Sequence, residues 1–172
     1  AIDLYHHYKE DIELLAEMGF KAFRFSISWA RIFPNGDDES PNEKGLKYYD
    51  SFFETLAKYN IKPVVTMSHS DIPLAIGTKY GGWDNKKVID LFVRYAKTIM
   101  ERYSEYVEYW IPFNEINDIF LSMSSLGQGA FIPSKECTFS GQEDNPLRRF
   151  EALNNMFIAS AKTVIEGRKI NP

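Results

Sequence analysis

A chain of 172 residues with 44% hydrophobic content can bury one well-formed core and is too short for two large domains. Twenty basic residues against 24 acidic ones leave a formal charge of −4 and no basic stripe, so nucleic acid is not an expected partner. A single cysteine, Cys137, rules out an intrachain disulfide, and the polar start "AIDLYHHYKEDI" reads as neither leader nor anchor, so a soluble cytoplasmic protein with no membrane partner is the expectation.

Tyr8, Ile12, Leu15 and Met18 share one helical face, and Gly19 supplies a C-terminal stop. His6 and His7 sit at that helix's start and read as surface. "FKAFRFSIS" follows as a strand. Its alternation sends Phe23, Phe25 and Ile27 to one face and Arg24, Ser26 and Ser28 to the other. "NGDDES" is a charged, solvated turn. "SPNEKGLKYYDSFFETLAKYN" opens with a capping box from Ser40 to Glu43, has Pro41 at the first helical position, and buries Leu46, Tyr49, Phe53 and Leu56. "IKPVVTMSH" is the second strand and ends on His69. "YGGW" sets Trp83 before Asp84, which reads as a cap for a third helix with the stripe Val88, Leu91, Phe92, Tyr95 and Ile99. "YVEYWIPFN" is the third strand. Ile116 to Pro146 is too long for a simple connection and is expected to be functional or disordered. Phe150, Leu153, Phe157 and Val164 mark a fourth helix. The pattern stops there, where another strand would be expected, as in a piece of a longer domain.

The order α-β-α-β-α-β-α implies parallel strands joined by right-handed crossovers. A barrel and an open doubly wound sheet both satisfy it. No glycine-rich phosphate loop follows any strand, which weighs against the nucleotide-binding version. In either architecture the site lies at the C-terminal ends of the strands.

Four residues are candidates for the chemistry. Arg24 points away from the helix-covered face and needs a carboxylate partner if buried; a structural ion pair and a site role are both open. His69, with Asp71 close in sequence, could be a base, a ligand or a satisfied hydrogen-bonding residue, and one histidine makes no metal site. Asn114 and Glu115 are adjacent, so they enter one pocket only through a bulge or turn. A carboxyl in an apolar, aromatic pocket is pushed up in pKa and can donate a proton near neutral pH. Trp83 could cover the apolar face of a sugar, although most aromatics here sit on helical stripes.

Taken together, "YHHYKEDIELLAEMGFKAFRFSISWARIFPNG", "SHSDIP", "YGGW" and "FNEIN", in this order and spacing, resemble glycoside hydrolase family 1, the retaining β-glycosidases on a (β/α)8 barrel. "FNEIN" where plain β-glucosidases have "FNEP", "SH" in place of "YH", and "FPNGDDESPNEKGLKYYD" resemble the 6-phospho-β-glucosidase branch. The resemblance implies an α/β fold: one partial barrel domain over 1–172, with about strands two to four and helices one to four. It implies Glu115 as general acid/base, Asn114 as ligand of the sugar 2-hydroxyl, Arg24 as holder of the nucleophilic carboxylate and His69 as ligand of a glycone hydroxyl. No cofactor or metal is implied; the partner is a small sugar or sugar phosphate.

The sequence departs from the family pattern at Ser70, where an aromatic usually follows the histidine, and at Asn154-Asn155, in place of a His pair. The first strand with its Gln, strands five to eight, the second catalytic glutamate of a "TENG"-like motif and the 6-phosphate loop do not occur in these residues. Retaining hydrolysis needs two carboxyls about 5–5.5 Å apart, so negligible turnover is expected from this chain alone. Bare sheet edges would invite self-association. The alternatives are a non-catalytic sugar-binding or self-associating half-barrel and, more remotely, a metal-dependent sugar isomerase on another α/β barrel.

Overall fold

The computed structural model describes residues 2–121, 127–130 and 144–171. Three strands, β1 (Ala22–Ser26), β2 (Lys62–Ser68) and β3 (Tyr109–Phe113), form one parallel sheet in the order β1-β2-β3. The register runs from Ala22 opposite Lys62 to Ser68 opposite Phe113, so the C-terminal ends lie at one level. Helix α1 (Leu4–Glu17) precedes β1; α2 (Trp29–Ile32) and α3 (Glu43–Lys58) link β1 to β2; α4 (Leu74–Tyr80) and α5 (Lys87–Tyr103) link β2 to β3. A 3₁₀ helix, Ile116–Phe120, leaves the end of β3, and α6 (Pro146–Ile170) packs along α5.

The sheet is amphipathic as the alternation predicts. Phe23 and Phe25 face α3, where both meet Phe52. Arg24 points to the opposite face. The main core joins Ile27, Trp29, Val65 and Met67 to Phe53, Phe92, Tyr95 and Met156. A smaller cluster of Tyr8, Ile12, Phe52, Leu56 and Ile61 glues α1 to α3. The predicted stripe Leu46, Tyr49, Phe53 and Leu56 is buried, as are Val88, Phe92, Tyr95 and Ile99, with Leu91 half-buried.

Tyr95 does more than fill volume. Its hydroxyl sits 2.7 Å from the Ile27 carbonyl and 2.9 Å from that of Met67. It thereby fastens the ends of β1 and β2 to α5 from beneath the site. Burial pushes this phenol well above its usual pKa.

Several local expectations fail for identifiable reasons. Met18 is 66% exposed, because α1 ends at Glu17 and the chain turns away. The capping box does not form. Asn42 is the cap of α3 and accepts from the Lys44 N–H at 3.2 Å. It is held there because its own N–H bonds the Ile32 carbonyl (2.7 Å) and its side-chain amide the Arg31 carbonyl (3.1 Å). In α6, Phe150, Phe157 and Val164 are exposed, while Arg149, Ala152, Asn155, Met156, Ala159 and Thr163 face inward with Leu153. Small and polar side chains share that face with Leu153 and Met156, so large apolar residues alone do not mark it. Helices α2 and α4 were not predicted; four and seven residues are too few to show a period.

Gly45 permits a close contact between α3 and α2. A Cβ at this position would lie 2.2 Å from the Arg31 carbonyl oxygen. Gly45→Ala is expected to lower stability by about 1–3 kcal/mol, the usual range for overpacking. Thermal unfolding followed by circular dichroism measures this; an unchanged Tm would show that α2 can yield.

Candidate active site

All four sequence-predicted residues lie on the side of the sheet or at the strand ends where α/β proteins keep their sites. Arg24 comes from the middle of β1. Its Nε donates to Thr66 Oγ1 on β2 at 3.1 Å, and its Nη2 donates to Asn114 Oδ1 beyond β3 at 2.8 Å. Asn114 in turn donates from Nδ2 to Glu115 Oε2 at 3.2 Å. A continuous line of hydrogen bonds therefore crosses all three strands and ends on a carboxylate.

Asn114 is well anchored. It is buried, its N–H bonds the Ser68 carbonyl at 2.9 Å, and Gln128 Nε2 approaches its carbonyl oxygen at 3.4 Å. The turn required for the Asn114-Glu115 pair is present. Glu115 adopts a left-handed backbone, φ 44 and ψ 46, immediately after the strand. A non-glycine residue there is disfavoured by roughly 1–2 kcal/mol, and such strain collects at functional sites. Its carbonyl accepts from the Asp118 N–H at 2.8 Å and so starts the 3₁₀ helix.

Two expectations about surroundings are corrected. Arg24 is exposed and, among the described residues, pairs with no carboxylate; its partners are the neutral Thr66 and Asn114. Glu115 is exposed rather than enclosed in an apolar pocket. His69 is also exposed. With Arg24, Ser26 and Thr66 it lines a cavity of about 520 Å³ beside β1, floored by Phe23, Phe25, Tyr48 and Phe52.

Trp83 is fully buried against Trp29, Phe92 and Phe113, so it belongs to the core and covers no sugar. Asp84 does not cap α5. Its carboxylate pairs with Arg148 at 2.6 Å, and its N–H bonds the Ala130 carbonyl at 2.9 Å. Asn155 is buried and donates to the carbonyls of Trp83 (2.9 Å) and Asp84 (3.2 Å), holding this loop behind the site. Most of the long Ile116–Pro146 connection, namely 122–126 and 131–143 with Cys137, lies outside the described residues.

Thr66, Gln128 and Asp71 were not singled out as site residues. Thr66 was discoverable: it falls in register with Ser26 on the face that carries Arg24. Asp71 is more telling. Burial pushes its carboxyl above the ordinary range, against opposing hydrogen bonds from the His69 N–H (3.1 Å) and the Ser28 hydroxyl. No described group of three or more His, Cys, Asp or Glu could hold a metal ion, and no described helix is long and apolar enough to cross a membrane.

Parallel strands backed by helices, with a polar line ending on a carboxylate at their C-terminal ends, define a sector of an α/β fold with a candidate site at the strand ends. The glycosyl hydrolase family 1 model matches residues 1–172, and the chain belongs to this family. It is 50% identical over 172 residues to the aryl-phospho-beta-D-glucosidase BglH of Bacillus subtilis and 43% identical to the 6-phospho-beta-glucosidase AscB of Escherichia coli, covering all of this chain and 35% of either relative. A beta-glucosidase from Thermotoga maritima, solved in complex with glucoimidazole, superposes with a TM-score of 0.82 at 34% identity, over 98% of this chain and 36% of that one. The chain thus spans about a third of the length of these proteins, and its sheet is part of a (β/α)8 barrel.

The Asp71 shift has a definite sign. Because the folded pKa is raised, ionising Asp71 opposes folding, and stability falls as pH rises from 3.8 through the folded value. Asp71→Asn removes that dependence. The Tm of Asp71→Asn relative to the parent should rise across this window and stay level below it; parallel Tm curves from pH 3 to 7 would contradict the shift.

Proposed function

We propose that these residues form the acid/base part of a retaining β-glycosidase active site, in an enzyme that cleaves 6-phospho-β-glucosides. The observation that carries this is the hydrogen-bonded line from Arg24 through Asn114 to Glu115. It fixes a carboxylate beside an amide at the barrel mouth and supports the family roles residue by residue. Glu115 protonates the glycosidic oxygen as the bond breaks, then takes a proton from the water that releases the sugar. Asn114 offers its amide to the 2-hydroxyl. His69 takes a glycone hydroxyl from the adjacent cavity. Arg24 commits Nε and Nη2 to neutral acceptors, and a guanidinium has five N–H donors. The remaining donors suit a nucleophilic carboxylate supplied by a segment outside these residues.

Alone, the 172 residues would lack that nucleophile. General acid catalysis by itself is worth about 10²–10⁴-fold, so turnover would be negligible. The phosphorylated substrate is supported by relatives whose names specify phospho-glucosides. A phosphorylated sugar is charged and does not cross a lipid bilayer freely, which supports a cytoplasmic enzyme of carbohydrate metabolism as the reading.

The test compares three samples on a chromogenic β-glucoside 6-phosphate and its unphosphorylated form: the longer enzyme, its Glu115→Gln variant and the 172-residue chain. The longer enzyme should cleave only the phosphorylated form. Glu115→Gln should lower kcat by about 10²–10⁴-fold, and azide, a nucleophile that needs no base, should restore turnover. Full activity of Glu115→Gln would sink the assignment. Turnover by the short chain would mean that a described carboxylate, Asp71 first, supplies the nucleophile.

A second reading applies to the 172 residues by themselves. Both β1 and β3 are edge strands, and Tyr109 on β3 is 58% exposed. Unpaired edges of this kind pair with other chains. Sedimentation should show concentration-dependent association; a monomer throughout the micromolar range would exclude it.

A further inference from the structure

We propose that Asp71 is a positioning residue that holds the His69 side chain toward the sugar by bracing the turn between them, an inference that rests on the glycone-binding role given to His69. Strand β2 ends at Ser68, and three residues, His69, Ser70 and Asp71, carry the chain off the sheet toward α4. Ser70 lies in the left-handed region at φ 62, which a side chain disfavours, so something outside it must hold the turn.

The Asp71 carboxylate closes that turn. It accepts the His69 N–H at 3.1 Å, two residues back. On its other side lies Ser28 at the end of β1, whose hydroxyl favours the charged carboxylate. Ser28 is itself pinned, since its N–H donates to the Tyr49 hydroxyl at 2.9 Å. The brace therefore runs from α3 through the end of β1 to the backbone of His69. Asp71 is not spent on the following helix, because α4 has no side-chain cap. Nor is it placed for its own solvation: burial disfavours its charged form.

The test uses the longer enzyme and its phosphorylated substrate, with His69→Ala, Asp71→Ala, Asp71→Asn and the His69→Ala/Asp71→Ala pair. Asp71→Ala should raise KM about 10-fold, the size of one lost hydrogen bond, with kcat nearly unchanged. Asp71→Asn keeps an acceptor for the His69 N–H and should recover most of that loss. In the double variant the Asp71 change should add little, because it acts through His69. Normal KM for Asp71→Ala beside an impaired His69→Ala would overturn the proposal alone. Normal KM for His69→Ala would overturn the glycone role beneath it. Should Asp71→Ala fail to fold, Ser70→Gly/Asp71→Ala relieves the left-handed residue. A raised KM in that folded variant supports positioning, and a normal KM shows that Asp71 only relieves backbone strain.

Discussion

The site depends on one guanidinium reaching sideways across a parallel sheet. Because β1, β2 and β3 run in one direction, a long side chain on β1 can meet a group on β2 and, beyond it, one at the end of β3. Arg24 uses that reach twice, to Thr66 and to Asn114. An antiparallel neighbour would place a strand start where Asn114 now emerges. The carboxylate of Glu115 is then located by a bond from an amide that Arg24 already holds. Aromatic packing below the sheet supplies the rigidity. Tyr95, Trp29, Phe92 and Phe113 fix the strand ends, and Tyr95 ties two of them by hydrogen bonds.

The molecule keeps its tryptophans apart from its candidate site residues. Trp83 sits among rings in the core, while Arg24, His69 and Glu115 are exposed. Burial energy, about 25 cal/mol per Å² of apolar surface, is gathered on the helix-covered side. The opposite side carries side chains that bond to one another across strands. Asn155 and Asp84 belong to neither group. They secure the YGGW loop from behind, using backbone carbonyls and the Arg148 pair.

Much of this was legible in the sequence, where periodicity reports burial directly. The three strands, the large helices and the opposed faces of Arg24 and Phe25 follow from spacing alone, because period 2 and period 3.6 are geometric. The Arg24–Asn114–Glu115 grouping was legible only through family resemblance, since it joins residues ninety positions apart. The α6 stripe was only partly read, because its buried face mixes Leu153 and Met156 with Ala152, Asn155, Ala159 and Thr163. The Asn42 cap was missed because tertiary bonds to α2 outweigh a local Ser-to-Glu pattern. Arg24 meets only neutral acceptors among the described residues, so whether a carboxylate completes its donors was not legible from these residues.

The left-handed backbone of Glu115 has a consequence for how such a chain can change. Glycine takes this conformation without penalty, and asparagine tolerates it well. Replacing the acid with either would relax the turn and leave the rest of the sheet untouched. Selection for thermostability alone would therefore push this position away from the acid and silence the site. Retention of glutamate there needs selection on turnover, so screens of this chain that score folding without activity will drift toward stable, inert variants.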